Sequence, residues 1–255
     1  MRSFWSGIIS FGLINIPIKL YSATTEERLS FHFLRKKDLC PVKFEKVCKA
    51  TGEEVPFNEI VRGFEFRKGE YVVLNEEDFR RASPKKSQAI EIDQFVDLAE
   101  INEESFEKPY YIEPDKGAEK AYVLLREAMQ KTGKAGIGKF ILRNKENLVA
   151  LIPQGELLIA EILRFSNEIR KPDELKIPKQ AEFKEKELDL AEQLIKQMSG
   201  KFDYDQYKDT YTEELKKVIE EKEKGITYKP EEVPAFRADV TDLMAKLKAS
   251  LEKNK

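Results

Sequence analysis

The chain has 255 residues, 41% of them hydrophobic and 36% charged, with a mean hydropathy of -0.55. That is enough apolar material for one large domain or two small ones beneath a heavily charged exterior. With 45 Lys and Arg against 47 Asp and Glu, the formal charge is -2, which excludes a uniformly basic binder of nucleic acid but not a local basic cluster. Two cysteines, Cys40 and Cys48, are too few for a disulfide framework and point to a reducing cytoplasm.

Phe4 to Tyr21 is almost wholly apolar and is broken by Gly7, Gly12 and Pro17, so it predicts two strands bent at glycines. Arg2 alone precedes it as a charge, no small-residue cleavage site follows, and Asn15, Pro17 and Lys19 interrupt any membrane span. Neither signal peptide nor membrane segment is expected. From Phe31 to Lys49 six basic residues, Arg35, Lys36, Lys37, Lys43, Lys46 and Lys49, face only two acids, Asp38 and Glu45, with Phe31, Phe33 and Phe44 between them. Arg62, Arg67 and Lys68 follow. Most charge runs are solvated loops, but this one is one-signed in a chain that elsewhere mixes its signs, so it is a candidate for phosphate-backbone contact. No recognition helix or zinc finger accompanies it. His32, Cys40 and Cys48 supply three of the four ligands a structural zinc needs and lack a C-x2-C knuckle, so free thiols and no metal are expected.

Glu70–Leu74, Ala89–Val96 and Pro109–Ile112 read as short strands, the last opened by a proline at its edge, and strands this numerous and short predict a closed or nearly closed barrel. A helix follows from about Ala118 to Lys131, with Ala121, Leu124, Leu125, Ala128 and Met129 on one face and Gly133 as its C-terminal cap. Gly133 to Lys139 has the G-x-x-x-x-G-K spacing of a phosphate loop, but Phe140 stands where Ser or Thr should hold magnesium. The motif also leaves a helix to enter a strand, the reverse of a phosphate loop, and so reads as a helix cap and a turn. Strands resume at Lys139–Arg143, Asn147–Pro153 and Leu157–Phe165, the first two joined by a turn at Asn144–Glu146. No enzyme signature stands out, and no cofactor is expected.

Beyond Pro172 and Pro178 the pattern becomes helical. Lys184–Gly200 carries a stripe of Leu188, Ala191, Leu194, Ile195 and Met198, and Tyr204–Gly225 one of Tyr207, Tyr211, Leu215, Val218 and Ile219. Ala181 to Lys229 mixes 13 acids with 10 bases, the mark of solvated outer faces, while stripes this apolar call for burial against a second subunit. Ile226–Pro234 reads as a linker broken by Pro230 and Pro234. A last helix, from about Asp239 to Glu252, has Val240, Leu243, Met244, Leu247 and Leu251 on one face, as a partner groove would accept. No internal repeat is apparent.

Several blocks, in order, resemble the bacterial Ku proteins of nonhomologous DNA end joining: Phe11 to Thr24, Lys46-Val47-Cys48, Gly52 to Val55, Gly69 to Leu74, Val96-Asp97-Leu98, Lys108 to Lys116, Glu119 to Tyr122, and Asp242-Leu243-Met244. The resemblance implies a mainly β protein with α: a β-barrel whose strand extensions form a DNA-encircling bridge, followed by a helical C-terminal arm and tail. It implies a non-catalytic, ring-shaped homodimer that binds double-stranded DNA ends without reading sequence, protects them, and recruits an ATP-dependent DNA ligase. On that basis residues 1–180 are the barrel, with the bridge at about 35–68 and one packed helix, residues 181–229 the dimerisation arm, and residues 230–255 the ligase-recruiting tail. The candidate DNA contacts are Arg35, Lys36, Lys37, Lys43, Lys46, Lys49, Arg62, Arg67 and Lys68 in the bridge, with Lys19, Arg143 and Lys145. Leu243, Met244, Leu247 and Leu251 are the candidate ligase contacts. Many relatives carry cysteines around the positions of Asp38 and Thr51, which this chain lacks. The rival readings are a general single-stranded nucleic-acid-binding barrel and a hydrolase using the phosphate-loop-like segment or His32.

Overall fold

The computed structural model describes residues 1–25, 29–82, 88–142, 145–178, 181, 183–226 and 243–253. These fall into two compact units divided at residue 172, with Leu29 and Ser30 grouped in the second. The first unit holds nine strands: β1 (Trp5–Phe11), β2 (Ile14–Ser22), β3 (Arg62–Arg67), β4 (Glu70–Leu74), β5 (Ala89–Asp97), β6 (Phe106–Pro114), β7 (Lys134–Leu142), β8 (Lys145–Gln154) and β9 (Leu157–Leu163). Its helices are α1 (Glu76–Ala82) and α2 (Glu119–Thr132).

Seven strands close into a barrel in the order β1-β2-β6-β9-β8-β7-β5. The ring is sealed by a parallel pairing of β1 with β5, in which Ile9 faces Ile90. The opening segment forms an antiparallel hairpin, as its composition predicts, and turns at Gly12, whose φ of +58° favours glycine. Along β2, Ile16, Ile18 and Leu20 are buried while Asn15 and Pro17 are exposed and Lys19 is half-buried, the period of two expected of a barrel wall. Ile9, Ile90, Val149, Leu151 and Leu158 complete the filling.

Helix α2 packs against β7 and β8, but through a face rotated from the predicted one. Leu124 is exposed, and the buried positions are Ala118, Tyr122, Leu125 and Met129. Tyr122 anchors the helix because its hydroxyl is fully used: it donates to the Ile112 carbonyl at 3.1 Å and accepts from the Leu158 amide at 2.7 Å, tying the helix to β6 and β9. Burial pushes the Tyr122 hydroxyl pKa up. The neutral form is therefore stabilised by folding up to the ordinary tyrosine range, and that stability is lost as pH rises through the folded value. Tyr122→Phe strands a buried carbonyl and a buried amide, so unfolding in urea should show a loss of about 1–3 kcal/mol.

Three further elements differ from the predicted ones. Pro109 lies inside β6 rather than at its start. The register with β9 shifts between Phe106 and Lys108, and β2 pairs with β6 only as far as Tyr110, so a missing amide is tolerated there. Strand β7 starts at Lys134, directly after the α2 cap. Helix α1, unforeseen, is started by Asn75, whose side-chain oxygen accepts from the amides of Glu77 and Asp78 while Asp78 accepts from the Asn75 amide, a reciprocal cap.

Between β2 and β5 the chain leaves the barrel. It first makes two short hairpins with one hydrogen-bond pattern, offset by 13 residues. Arg35 N–H to Cys40 O, Leu39 N–H to Arg35 O and Val42 N–H to Phe33 O recur as Cys48 to Glu53, Gly52 to Cys48 and Val55 to Lys46. Leu39 (φ +56°) stands where Gly52 (φ +75°) stands in the second. This repeat was invisible in the sequence because its matched residues differ. The ribbon β3–β4 follows, paired only with itself.

The second unit contains α3 (Glu185–Met198), α4 (Thr210–Glu223) and α5 (Leu243–Lys253). The helix predicted from Tyr204 begins instead at Thr210, because Asp209 caps it by accepting from the Thr212 amide at 3.0 Å. Tyr207 thus leaves the predicted stripe and sits 5.5 Å from the Phe202 ring. The predicted linker, apart from Ile226, and Asp239 and Val240 of the last helix lie outside the described residues.

Candidate nucleic-acid interface

The segment between β2 and β5 sorts its cations by position. In the first hairpin Arg35 and Asp38 form a two-pronged pair, Arg35 Nε lying 2.9 Å from Asp38 Oδ1. The Arg35 guanidinium holds the Asp38 carboxyl below its usual range. Lys43 faces Glu45 at 3.3 Å, so both acids of the predicted basic run are matched to a base. Lys36 and Lys37 occupy the tip of the first hairpin and Lys49 that of the second, all exposed and in no ion pair among the described residues. Lys46 lies over the exposed Phe57 ring at 4.9 Å, which leaves its charge available.

The ribbon repeats this arrangement. Arg62 stands over Phe79 at 5.2 Å, with Glu76 at 4.0 Å, whereas Arg67 and Lys68 lie at the turn between β3 and β4, exposed and without an ion-pair partner among the described residues. Most of the free cations among the described residues of this segment thus collect at hairpin tips, where the backbone turns and side chains project into solvent. A partner with a linear array of negative charge would meet them first. The one-signed run ends at Lys49, however, and Glu53, Glu54, Glu59 and Glu65 make the stretch up to Lys68 mixed.

The candidates on the barrel are weaker. Lys19 is bound to Asp115 at 2.9 Å, which raises the Lys19 pKa and lowers that of Asp115. Lys145, at the start of β8 rather than in a turn, faces Glu168 at 3.5 Å. Arg143 lies outside the described residues. Sequence reasoning passed over Arg80 and Arg81, exposed in the last turn of α1; the acids of Glu76–Asp78 followed by two arginines were the signal of that short helix.

The segment resembling a phosphate loop is accounted for by packing. Gly133 is the left-handed cap of α2 at φ +66°. At Gly138 a Cβ would meet the Glu91 carbonyl of β5 at 2.2 Å, so close strand approach requires glycine there. A concavity of about 560 Å³ on the barrel, lined by Met1, Tyr21, Tyr111 and Tyr122, has Glu113 and Glu156 as its charged side chains, the wrong sign for phosphate.

Nor do the two hairpins after β2 present a metal donor set among the described residues. Asp38 and Thr51 each bond to the residue three before it, Asp38 to Arg35 and Thr51 to Cys48, and the Thr51 contacts lower the Cys48 thiol pKa. An arginine cannot ligate, and no group of three or more His, Cys, Asp or Glu side chains suited to a metal occurs among the described residues. No described helix is long and apolar enough to cross a membrane.

A closed seven-strand barrel with cation-tipped hairpins inserted between β2 and β5 defines a structural class, and comparison with known proteins identifies it. Residues 10–190 match the Ku70/Ku80 beta-barrel domain. The chain is 44% identical to the non-homologous end joining protein Ku of Opitutus terrae, over 98% of this chain and 91% of the relative. It is 44% identical to that of Archaeoglobus fulgidus, over 99% of both chains, and 38% identical to that of Bacillus subtilis, over all of this chain and 83% of the relative. The chain belongs to the Ku family.

Proposed function

We propose that this protein binds double-stranded DNA ends without reading sequence, as a ring-shaped homodimer acting in nonhomologous end joining, where it protects ends and brings in an ATP-dependent DNA ligase. The observation that carries this reading is the set of unpaired cations at the tips of a bridge inserted into the barrel. Such a set grips phosphate at any sequence. The relatives' shared name, non-homologous end joining protein Ku, supplies the pathway. In this reading the chain positions charge and excludes escape; it does no bond chemistry.

Dimerisation is supported by apolar surface that one chain leaves in water. Every residue of β3, and all of β4 but Leu74, is exposed, and a two-stranded ribbon alone is marginal in water. Phe64 and Val72, paired across it, are 64% and 47% exposed. Leu188, Ile195, Tyr211 and Ile219 are likewise exposed along α3 and α4. A second copy covering both regions would complete them, the α3–α4 segment serving as the arm. The tail would supply the ligase contact through Leu243, Met244, Leu247 and Leu251.

The exposed rings of Phe33, Phe44 and Phe57 beside these lysines also suit base stacking, so a single-strand binder is the rival reading. One competition separates the two. Linear duplex should displace a labelled linear duplex at its own affinity, whereas covalently closed duplex circles of the same sequence should compete poorly. Equal competition by closed circles removes the ring, and tighter binding of circular single strands selects the rival.

A further inference from the structure

Three of the four residues assigned to ligase docking, Met244, Leu247 and Leu251, are already half-covered. Helix α5 packs against α3 of the same chain, and Gln197 Nε2 on α3 donates to the Leu251 carbonyl on α5 at 3.5 Å. On α5 the half-buried positions include Met244, Leu247 and Leu251; on α3 they are Glu187, Leu190, Ala191 and Leu194. Each set falls on one side of its helix, at the three-, four- and seven-residue spacings by which paired helices meet. Net charge agrees with the pairing: α3 carries four acids against Lys186 and Lys196, and α5 carries Lys246, Lys248 and Lys253 against Glu252.

We infer that the tail helix is self-sequestered, with α3 holding the face through which α5 would bind a partner protein, so that docking requires α5 to leave α3. The inference rests on the reading of α5 as the ligase contact and concerns how that contact is controlled. A helix of this length is marginal alone in water, and α3 supplies the apolar partner that keeps it folded. The same anchors cannot serve two grooves at once, so ligase affinity is reduced in proportion to the fraction of chains whose tail is closed. The arm's remaining apolar residues, Leu188, Ile195 and Met198, stay exposed, so a closed tail leaves them open to a second subunit.

The test opens the contact from the α3 side in full-length protein, with the tail sequence untouched. Leu190→Ala with Leu194→Ala should speed amide hydrogen exchange over residues 243–253 by about tenfold or more. The ligase concentration for half-maximal stimulation should fall by a similar factor. Gln197→Ala, a milder change that leaves every apolar residue in place, should move both readouts the same way by less. Unchanged exchange in both variants overturns the sequestration even if Leu243→Ala with Leu247→Ala abolishes ligase stimulation, a result that would keep the docking reading intact. Faster exchange with no change in ligase response, in a protein whose Leu243→Ala and Leu247→Ala variant also stimulates fully, overturns the docking reading and the regulation built on it.

Discussion

Replacing Lys36, Lys37, Lys46 and Lys49 together by Gln should flatten the salt dependence of end binding. Each phosphate neutralised contributes about -0.9 to the slope of log affinity against log salt, so four lost contacts make it shallower by roughly 3 to 4 units per subunit. That corresponds to a loss on the order of 10²-fold or more in affinity at low salt, shrinking as salt rises and screens the wild-type contacts. Anisotropy titrations of a short linear duplex across a salt series provide the measurement. The choice of residues follows from the hairpin geometry: Lys43 faces Glu45 at 3.3 Å, so Lys43→Gln alone should leave the slope nearly unchanged. A quadruple variant with the wild-type slope would make the run a solvated loop.

The second large effect concerns the ribbon. Phe64→Asp with Val72→Asp places two carboxylates opposite each other on β3 and β4, where Phe64 pairs with Val72. In a twofold dimer each change occurs twice. If these residues are interface anchors worth about 2 kcal/mol each, the four changed side chains of the dimer lower its affinity by roughly 10⁶-fold. Sedimentation at micromolar concentration should then find a monomer where the parent protein is a dimer. The ribbon is no part of the barrel, so the thermal transition of the barrel should persist. A variant that remains dimeric, beside an Ile195→Asp protein that does not, would move the subunit contact wholly onto the arm.

Local chemistry made much of this molecule readable before its structure. The two strands of the apolar opening segment, their bend at Gly12 and the cap at Gly133 are decided within a few residues, because strand formation and left-handed turns depend on neighbours in the chain. The same holds for the excess of lysine and arginine between Arg35 and Lys49, a property of composition. Other features depend on residues far apart. Tyr122 replaced Leu124 as the anchor of α2 because a carbonyl at Ile112 and an amide at Leu158 both lie within reach of one hydroxyl. Gly138 is required by a carbonyl on β5.

Which cations are free was likewise a tertiary question. Lys19 and Lys145 look the same in sequence as Lys36 and Lys68, yet Asp115 and Glu168 are brought to the first two by strands distant in the chain. The tail helix teaches this most sharply: its amphipathic spacing is written locally and demands a partner, but α3 was chosen by how the chain returns on itself. Sequence alone determined which segments must bury an apolar face and where positive charge is concentrated. The tertiary structure decided what covers each face and which charges remain unpaired, because burial and ion pairing are set by proximity in space.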